Sequence, residues 1–204
     1  MKPTLIVILP LLLLANPAMA EGVPFYGEQL KGHAAVAHDH QIIFRLFGDV
    51  AKTTYGYMKE EATGNAGTCK GDVKRFPGFL CVKGTDFFEC IIRINLKEGV
   101  LEGESGEICE YAGSSPKRPH LAMREMFVGD GGMTFHLIGD TAKVIYNKMS
   151  IESKNNDSQS CLGGAVKRFN GLECSKYKNK YECYLNVDLA AKKMRFLSEM
   201  CPQE

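Results

Sequence analysis

The chain contains 204 residues, with 25 lysines and arginines, 24 aspartates and glutamates, and a formal net charge of +1 at pH 7. This balance argues against a nucleic-acid-binding domain, which would carry a strong basic excess. Apolar residues make up 45% of the chain, an ordinary share for a protein that buries a core. The composition therefore predicts a folded protein with no nucleic-acid partner.

The first twenty residues have the features of a signal peptide. Lys2 supplies a positive start, residues 4–15 are nearly all apolar, and residues 18–20 form a small-x-small cleavage site. The apolar run is shorter than the roughly 18 to 20 residues that span a bilayer. We therefore expect an exported protein of bacterial type, periplasmic or secreted, without a membrane span.

Residues 21–40 are expected to form a flexible arm, because glycine and proline interrupt any regular pattern there. The arm contains three histidines, His33, His38 and His40. Imidazole is a ligand for both Zn²⁺ and Cu²⁺, so these residues are a candidate metal site with an unassigned fourth ligand. The alternative interpretation is a solvated arm that binds no metal.

A pattern of about 90 residues occurs twice after this arm. Residues 71–96 and 164–189 align without a gap over 26 positions, of which 11 are identical. A period of this length is too long for a solenoid and suits a duplicated small domain. We therefore predict a first repeat at 41–110, a linker at 111–132 and a second repeat at 133–204.

Each repeat begins with a predicted strand, at 41–47 in the first and at 133–138 in the second. Both strands are followed by Gly-Asp, and we expect Asp49 and Asp140 to cap helices by accepting hydrogen bonds from free backbone N–H groups. Apolar residues at offsets of zero, four and seven predict one buried face on each helix. These residues are Ala51, Tyr55 and Met58 in the first helix, and Ala142, Tyr146 and Met149 in the second.

The rest of each repeat predicts antiparallel strands. A Pro-Gly pair at 77–78 suits a type II turn, and an Asn-Gly pair at 170–171 suits a type I′ turn. Val73 and Phe76 have opposite parity along one strand, so we expect a bulge there. Residues 120–127 predict a short helix. The fold class is therefore α+β, with two tandem disulfide-stapled repeats, each a strand, one helix and an antiparallel sheet of about three or four strands.

The eight cysteines divide into four per repeat, with closely matched spacing. An even count in an exported chain favours disulfide bonds, whereas a metal site would use close C-x2-C pairs, which are absent from the sequence. Counting outward from turns at 85–86 and 178–179 places the second cysteine of each set opposite the third. The predicted bridges are Cys81–Cys90, Cys174–Cys183, Cys69–Cys109 and Cys161–Cys201. The alternative joins the first cysteine of each set to the second and the third to the fourth.

Basic residues adjoin the Pro-Gly and Asn-Gly turns at equivalent positions of the two repeats. Arginine can hold a carboxylate or a phosphate with both arms of its guanidinium, so a repeated basic edge would suit an acidic partner. The structural alternative is a solvated strand face inherited by duplication. The candidate binding residues are Lys74, Arg75, Pro77, Gly78, Lys167, Arg168, Asn170 and Gly171.

No motif of a known catalytic class is found in the sequence, which lacks G-x-S-x-G, H-E-x-x-H, P-loop and C-x-x-C patterns. Glu89 and Glu182 each precede the third cysteine of their set and could form a pair of acids. Both glutamates are expected to lie on the outward strand face, in solvent. We therefore predict no catalytic residue and no cofactor.

The leading functional hypothesis is an exported, non-enzymatic, disulfide-stabilised binding or inhibitor protein that recognises a protein partner. The plan of two tandem α+β repeats is similar to that of the β-lactamase-inhibitor proteins, an architectural similarity that implies no target and no inhibitory residue. One alternative is a metal-binding envelope protein that uses the histidine arm. The other is a hydrolase with a site between the repeats.

Overall fold

A computed structural model shows an α+β fold of two antiparallel sheets and two α-helices. The predicted signal peptide, His33, Cys109, Cys161 and Cys201 lie outside the residues that the structure describes. The described residues are 23–30, 34–38, 40–66, 69–103, 123–129, 132–152, 154–155 and 164–195.

The strands of the first sheet follow one another along the chain. The first sheet contains β2 (Ala34–His38), β3 (Gln41–Phe47), β4 (Thr63–Ala66), β5 (Cys69–Phe76), β6 (Phe79–Lys83), β7 (Phe88–Asn95) and β8 (Val100–Leu101). The second sheet contains β1 (Val23–Tyr26), β9 (Met123–Gly129), β10 (Gly132–Ile138), β11 (Lys154–Asn155), β12 (Ala165–Phe169), β13 (Leu172–Tyr177), β14 (Lys180–Asp188) and β15 (Lys193–Met194). The helices are α1 (Gly48–Tyr57) and α2 (Gly139–Lys148), and a short 3-10 helix covers Gly27–Leu30.

The two sheets have corresponding strand orders. The first runs β2-β3-β7-β6-β5-β4 with β8 beside β7, and the second runs β9-β10-β14-β13-β12-β11 with β15 beside β14. In both, the helix follows the second strand of the order and packs on the central pair, β6 and β7 or β13 and β14. Strand β1 extends the second sheet by pairing with β9, which places two elements of the predicted arm, β1 and β2, in sheets.

The helices pack on their sheets through the predicted apolar faces. Ala51 and Ala142 are fully buried, and Met58 and Met149 are buried just beyond the helix ends. One core cluster spans both sheets, and within it the rings of Phe44 and Phe135 lie 5.5 Å apart. Burying a side chain of this size contributes about 1.5–3 kcal/mol, so this shared core holds the two sheets together.

The predicted aspartate caps are wrong. The helix N-caps are Phe47 and Ile138, and neither makes a side-chain capping hydrogen bond. Asp49 and Asp140 lie in the first turn instead, where a carboxylate interacts favourably with the positive end of the helix dipole.

Three local predictions also differ from the structure. Residues 123–127 belong to strand β9 rather than to a helix, because pairing with β1 and β10 outweighs the helical spacing of the methionines. The pairing of β5 with β6 continues without a bulge, since Val73 and Phe76 are each buried, on opposite faces of the sheet. In the Asn170-Gly171 turn only the glycine has a positive φ, which excludes type I′.

The bridges Cys81–Cys90 and Cys174–Cys183 are confirmed, with Cα–Cα distances of 4.1 and 4.0 Å. In both hairpins the two cysteines are directly opposed in the strand register. Each bridge lies beneath a helix, with a sulfur 3.5 Å from the backbone oxygen of a buried alanine. The two predicted outer bridges involve cysteines outside the described residues, and they stay a prediction.

The two bridges also indicate the kind of cellular compartment in which the protein is found. Disulfides persist in oxidising environments, so the two described bridges indicate an oxidising, extracellular location. No helix in the described part of the chain has the length and apolar character required to span a membrane.

Candidate binding surface

Lys74, the first of the predicted binding residues, closes the end of α1. Its ammonium donates hydrogen bonds to the backbone oxygens of Tyr55 at 3.0 Å and Met58 at 2.8 Å, and lies 4.6 Å from the centroid of the Tyr55 ring. The last carbonyls of a helix have no partner within the helix, and the helix dipole favours a cation there. Lys74 thus has a structural role.

Lys167 does the same at the end of α2. It donates to the backbone oxygen of Met149 at 2.9 Å and lies 4.9 Å from the centroid of the Tyr146 ring. Burial lowers the pKa of this ammonium from its ordinary value. The recurrence of this lysine at equivalent positions therefore has a structural explanation.

The turn glycines Gly78 and Gly171 are buried against the adjoining backbone. The oxygen of Gly78 accepts a hydrogen bond from the Arg93 amide at 2.8 Å, and that of Gly171 accepts one from the Asn186 amide at 2.8 Å. A Cβ at Gly171 would lie 2.4 Å from the Arg195 backbone oxygen, and φ is +72° at Gly78 and +106° at Gly171. Both turns require glycine because the following chain packs on them.

The arginines of the basic pairs lie on the opposite sheet face from the lysines, because side chains alternate along a strand. Arg75 is exposed, whereas the Nε of Arg168 donates to Glu173 at 2.8 Å. Pro77 and Asn170 are exposed at the turn tips. The structure therefore does not place the lysine and the arginine of either pair on one surface, and the binding role of these residues stays a prediction.

The histidine arm is described only in part. His38 ends strand β2 and pairs in register with Gln41, and His40 is exposed in the intervening turn. Within the described residues, no three histidine, cysteine or acidic side chains are grouped so as to hold a metal ion.

A cluster that the sequence did not indicate lies on the second sheet, on the face away from α2. At its centre is His136 of β10, only 3% exposed. Its Nδ1 lies 3.4 Å from Glu125 of β9, and its Nε2 lies 3.4 Å from Glu182 of β14. The ring stacks on Tyr184 at a centroid distance of 4.3 Å. Within the described residues neither ring nitrogen has a hydrogen-bond partner, and the imidazole lies buried between two carboxylates.

The carboxylates of this cluster disfavour a negative charge on Tyr184. The pKa of Tyr184 is raised, first by burial of the phenol and then by Glu182 and Glu125, with a further contribution from Glu173. Arg124 acts in the opposite direction. Glutamates that disfavour a phenolate would favour a cation at the same place.

Two exposed aromatic side chains border the cluster on the same face. Tyr26 of β1 is opposite Glu125 in the strand register, and Phe127 is opposite Thr134 of β10. They are 49% and 37% exposed, and their rings meet edge to face at 6.2 Å. We call this surface the histidine face, and its members are Tyr26, Glu125, Phe127, His136, Glu182 and Tyr184.

The first sheet places a different pair at the corresponding register positions. Arg45 and Glu89 stand there, with Nη1 and Oε1 3.8 Å apart and both side chains almost fully buried. Their surroundings on that face are apolar, formed by Val73, Leu80, Val82 and Ile91. The prediction that Glu89 is solvated is therefore wrong, because its side chain is buried beside Arg45 among these apolar side chains.

An open cavity of about 470 Å³ lies where β8 approaches β15. None of the described side chains that line it is a carboxylate or an imidazole. Lys192 at its edge forms an ion pair with Glu60 at 3.1 Å. The lining residues are Gly99, Val100, Leu101, Asn170, Lys192, Lys193, Met194 and Arg195.

Comparison of the chain with protein-family models, with curated proteins and with solved structures gives no match. The functional interpretation therefore rests on the residues and geometry described above.

Proposed function

We propose that this chain is an exported, non-enzymatic binding or inhibitor protein that recognises a protein partner, and that its two halves are tandem copies of one α+β unit. The 11 identities over 26 aligned positions support the duplication. The corresponding strand orders of the two sheets also support it. The signal-like segment and the two disulfides support export.

The observation that carries the binding function is the exposed aromatic pair on the histidine face. Tyrosine and phenylalanine are enriched at protein interfaces, where they provide large contact areas at a small cost in side-chain entropy. Tyr26 and Phe127 adjoin Glu125, which is partly exposed and supplies polar specificity at their edge. An apolar centre with charged neighbours is a common arrangement at protein interfaces.

The scaffold beneath this surface suits recognition by a preformed site. The bridge Cys174–Cys183 joins the two central strands of the second sheet under α2, and Tyr184 follows it directly on the opposite face. A surface that is ordered before binding loses less conformational entropy when the partner docks. The rigid scaffold therefore supports a binding role, which requires no catalytic residues.

The test is affinity capture from an envelope extract with the mature, disulfide-intact protein. We expect a Tyr26→Ser/Phe127→Ser variant to lose a partner that the wild type captures. Val144→Ser is the matched control, because Val144 is 41% exposed on α2, away from this face. Capture of the same partners in equal amounts by all three proteins would contradict the proposed surface.

The turn residues form a second candidate contact with an acidic partner. Arg75 is exposed beside the exposed Pro77, while Lys74 is engaged by α1. The variant that tests this contact without disturbing the helix is Arg75→Gln. If it captures every partner as the wild type does, the basic turn makes no contribution.

The two other functional hypotheses have less support in the described residues. The metal-binding hypothesis rests on His33, His38 and His40, of which only His40 has a described side chain. Calorimetry with Zn²⁺ and Cu²⁺, on the mature protein with and without residues 21–40, tests it. The hydrolase hypothesis would use the cavity beside β15, where the lining offers cations and apolar groups but no acid-base pair.

A further inference from the structure

We infer that the histidine face binds a cationic side chain of the partner, an arginine or a lysine, between Glu125 and Glu182, and that a positive charge at position 136 opposes this binding. The inference rests on the proposed function, since it specifies the chemistry of the partner at the same surface.

The two carboxylates can reach a ligand. The side chains of Glu125 and Glu182 are 31% and 36% exposed, although each has an oxygen 3.4 Å from a nitrogen of His136. They come from β9 and β14, the strands on either side of β10, and therefore lie on opposite sides of the imidazole. A cation at the protein surface over His136 would face both carboxylates.

The state of His136 decides how much negative charge these carboxylates present. A neutral imidazole donates at most one hydrogen bond, whereas the protonated ring carries two N–H donors. A protonated His136 would donate to Glu125 and Glu182 at once and reduce the formal charge of the three groups from two negative charges to one.

The other charged groups around His136 do not make the net charge of this site positive. Glu173 of β13 is paired with Arg168 of β12 at 2.8 Å, so this pair is formally neutral. Arg124 of β9 offsets part of the negative potential at Tyr184. With His136 neutral, the formal sum of these groups, including both carboxylates, is still one negative charge.

Aromatic rings provide the second element of recognition. Tyr26 and Phe127 are exposed at the rim, and Tyr184 lies in the centre. Cations bind over aromatic faces, and arginine both stacks on such rings and pairs with carboxylates through its planar guanidinium. An arginine of the partner is therefore the ligand that this combination fits best.

The direct probe is a short acetylated Gly-Arg-Gly amide, compared with the same peptide carrying neutral citrulline. Nuclear magnetic resonance titration of the mature, disulfide-intact protein at neutral pH reports the site. We expect saturable shifts at Glu125, His136 and Tyr184 with arginine and much smaller ones with citrulline. Equal shifts with the two peptides, or shifts outside the histidine face, would overturn the inference.

The role of His136 is tested by changing its charge. We expect His136→Arg, which copies the residue at the corresponding position of the first sheet, to bind the arginine peptide about fivefold more weakly than the neutral His136→Gln at the same pH, the scale of one exposed ion pair. Equal binding by these two variants would refute the role of the charge at position 136.

If a substitution of the buried histidine prevents folding, the Glu125→Gln variant provides an independent test of the inference. This side chain is partly exposed, and we expect its loss to weaken binding of the arginine peptide about threefold to fivefold. Unchanged affinity would refute the inference. A partner whose capture needs Tyr26 and Phe127, together with equal binding of the arginine and citrulline peptides, would leave the proposed function standing and refute the cationic ligand alone.

Discussion

The outer faces of the two sheets differ, although their strand orders correspond. At one pair of register positions the first sheet has Arg45 and Glu89, buried in apolar surroundings. The second sheet has His136 and Glu182 there, with aromatic and acidic neighbours that reach solvent. A buried ion pair in apolar surroundings suits a structural role, whereas partly exposed carboxylates beside exposed aromatic rings suit binding. We therefore propose that the outer face of the first sheet serves stability and that the histidine face serves recognition.

The largest expected effect tests the structural face. Arg45→Ala leaves Glu89 buried without its arginine, and losing one partner of a buried ion pair costs about 3–5 kcal/mol. His136→Ala in the second sheet should cost less, because its glutamates are partly exposed and can be solvated. Urea unfolding followed by circular dichroism gives both values. An equal loss from the two substitutions would remove the distinction between the faces.

The next effect concerns the disulfide bridge between the central strands of each sheet. Replacing Cys81 and Cys90, or Cys174 and Cys183, with alanine should lower the free energy of unfolding by about 2–4 kcal/mol. Both bridges close loops with a sequence separation of 9, so the two losses should be similar. Urea unfolding with and without a reducing agent measures them. A loss confined to one sheet would show that the bridges are not equivalent.

A smaller effect is expected at the helix ends. Lys74→Met and Lys167→Met each remove the ammonium that donates hydrogen bonds to the last carbonyls of a helix. Each substitution should lower the free energy of unfolding by about 1–2 kcal/mol. Arg75→Met is the neighbouring control, and for this exposed residue we expect a change within about 0.5 kcal/mol. Thermal unfolding compares them. If the arginine substitution costs as much as the lysine substitutions, the helix-closing role of the lysines is wrong.

The smallest effect is a pH dependence of stability that arises at Tyr184 of the second sheet. The folded-state pKa of Tyr184 is raised above its ordinary value of 10.0, so the folded state binds this proton more tightly than the unfolded chain does. Its contribution to stability is therefore present below pH 10.0 and decreases as the pH rises through the folded-state pKa. Tyr184→Phe should lose less stability than the wild type on this rise. Identical alkaline unfolding curves would contradict this.

Much of the fold follows from local sequence pattern. The strand at residues 41–47, the helix faces and the opposed cysteines depend on spacing within one hairpin or one helix, which a sequence records directly. The pairing of residues 123–129 with β1 is a contact between distant segments, and no local period indicates it.

The candidate site depended on such distant contacts. Glu125, His136 and Glu182 come from three strands, and only the register of β9, β10 and β14 brings them together. The helix that the sequence predicts at residues 120–127 leaves Glu125 with no place beside His136. The lysines of the basic pairs recur because each of them closes the end of a helix.

The most direct test of the account is photo-crosslinking in the living cell envelope, with benzoylphenylalanine placed in turn at positions 127 and 75. Position 127 lies on the histidine face, and position 75 lies on the outer face of the first sheet. We predict a discrete crosslinked adduct from position 127, abolished by Tyr26→Ser, and a weaker or absent adduct from position 75. A strong adduct from position 75 with none from position 127 would contradict the assignment of recognition to the second sheet.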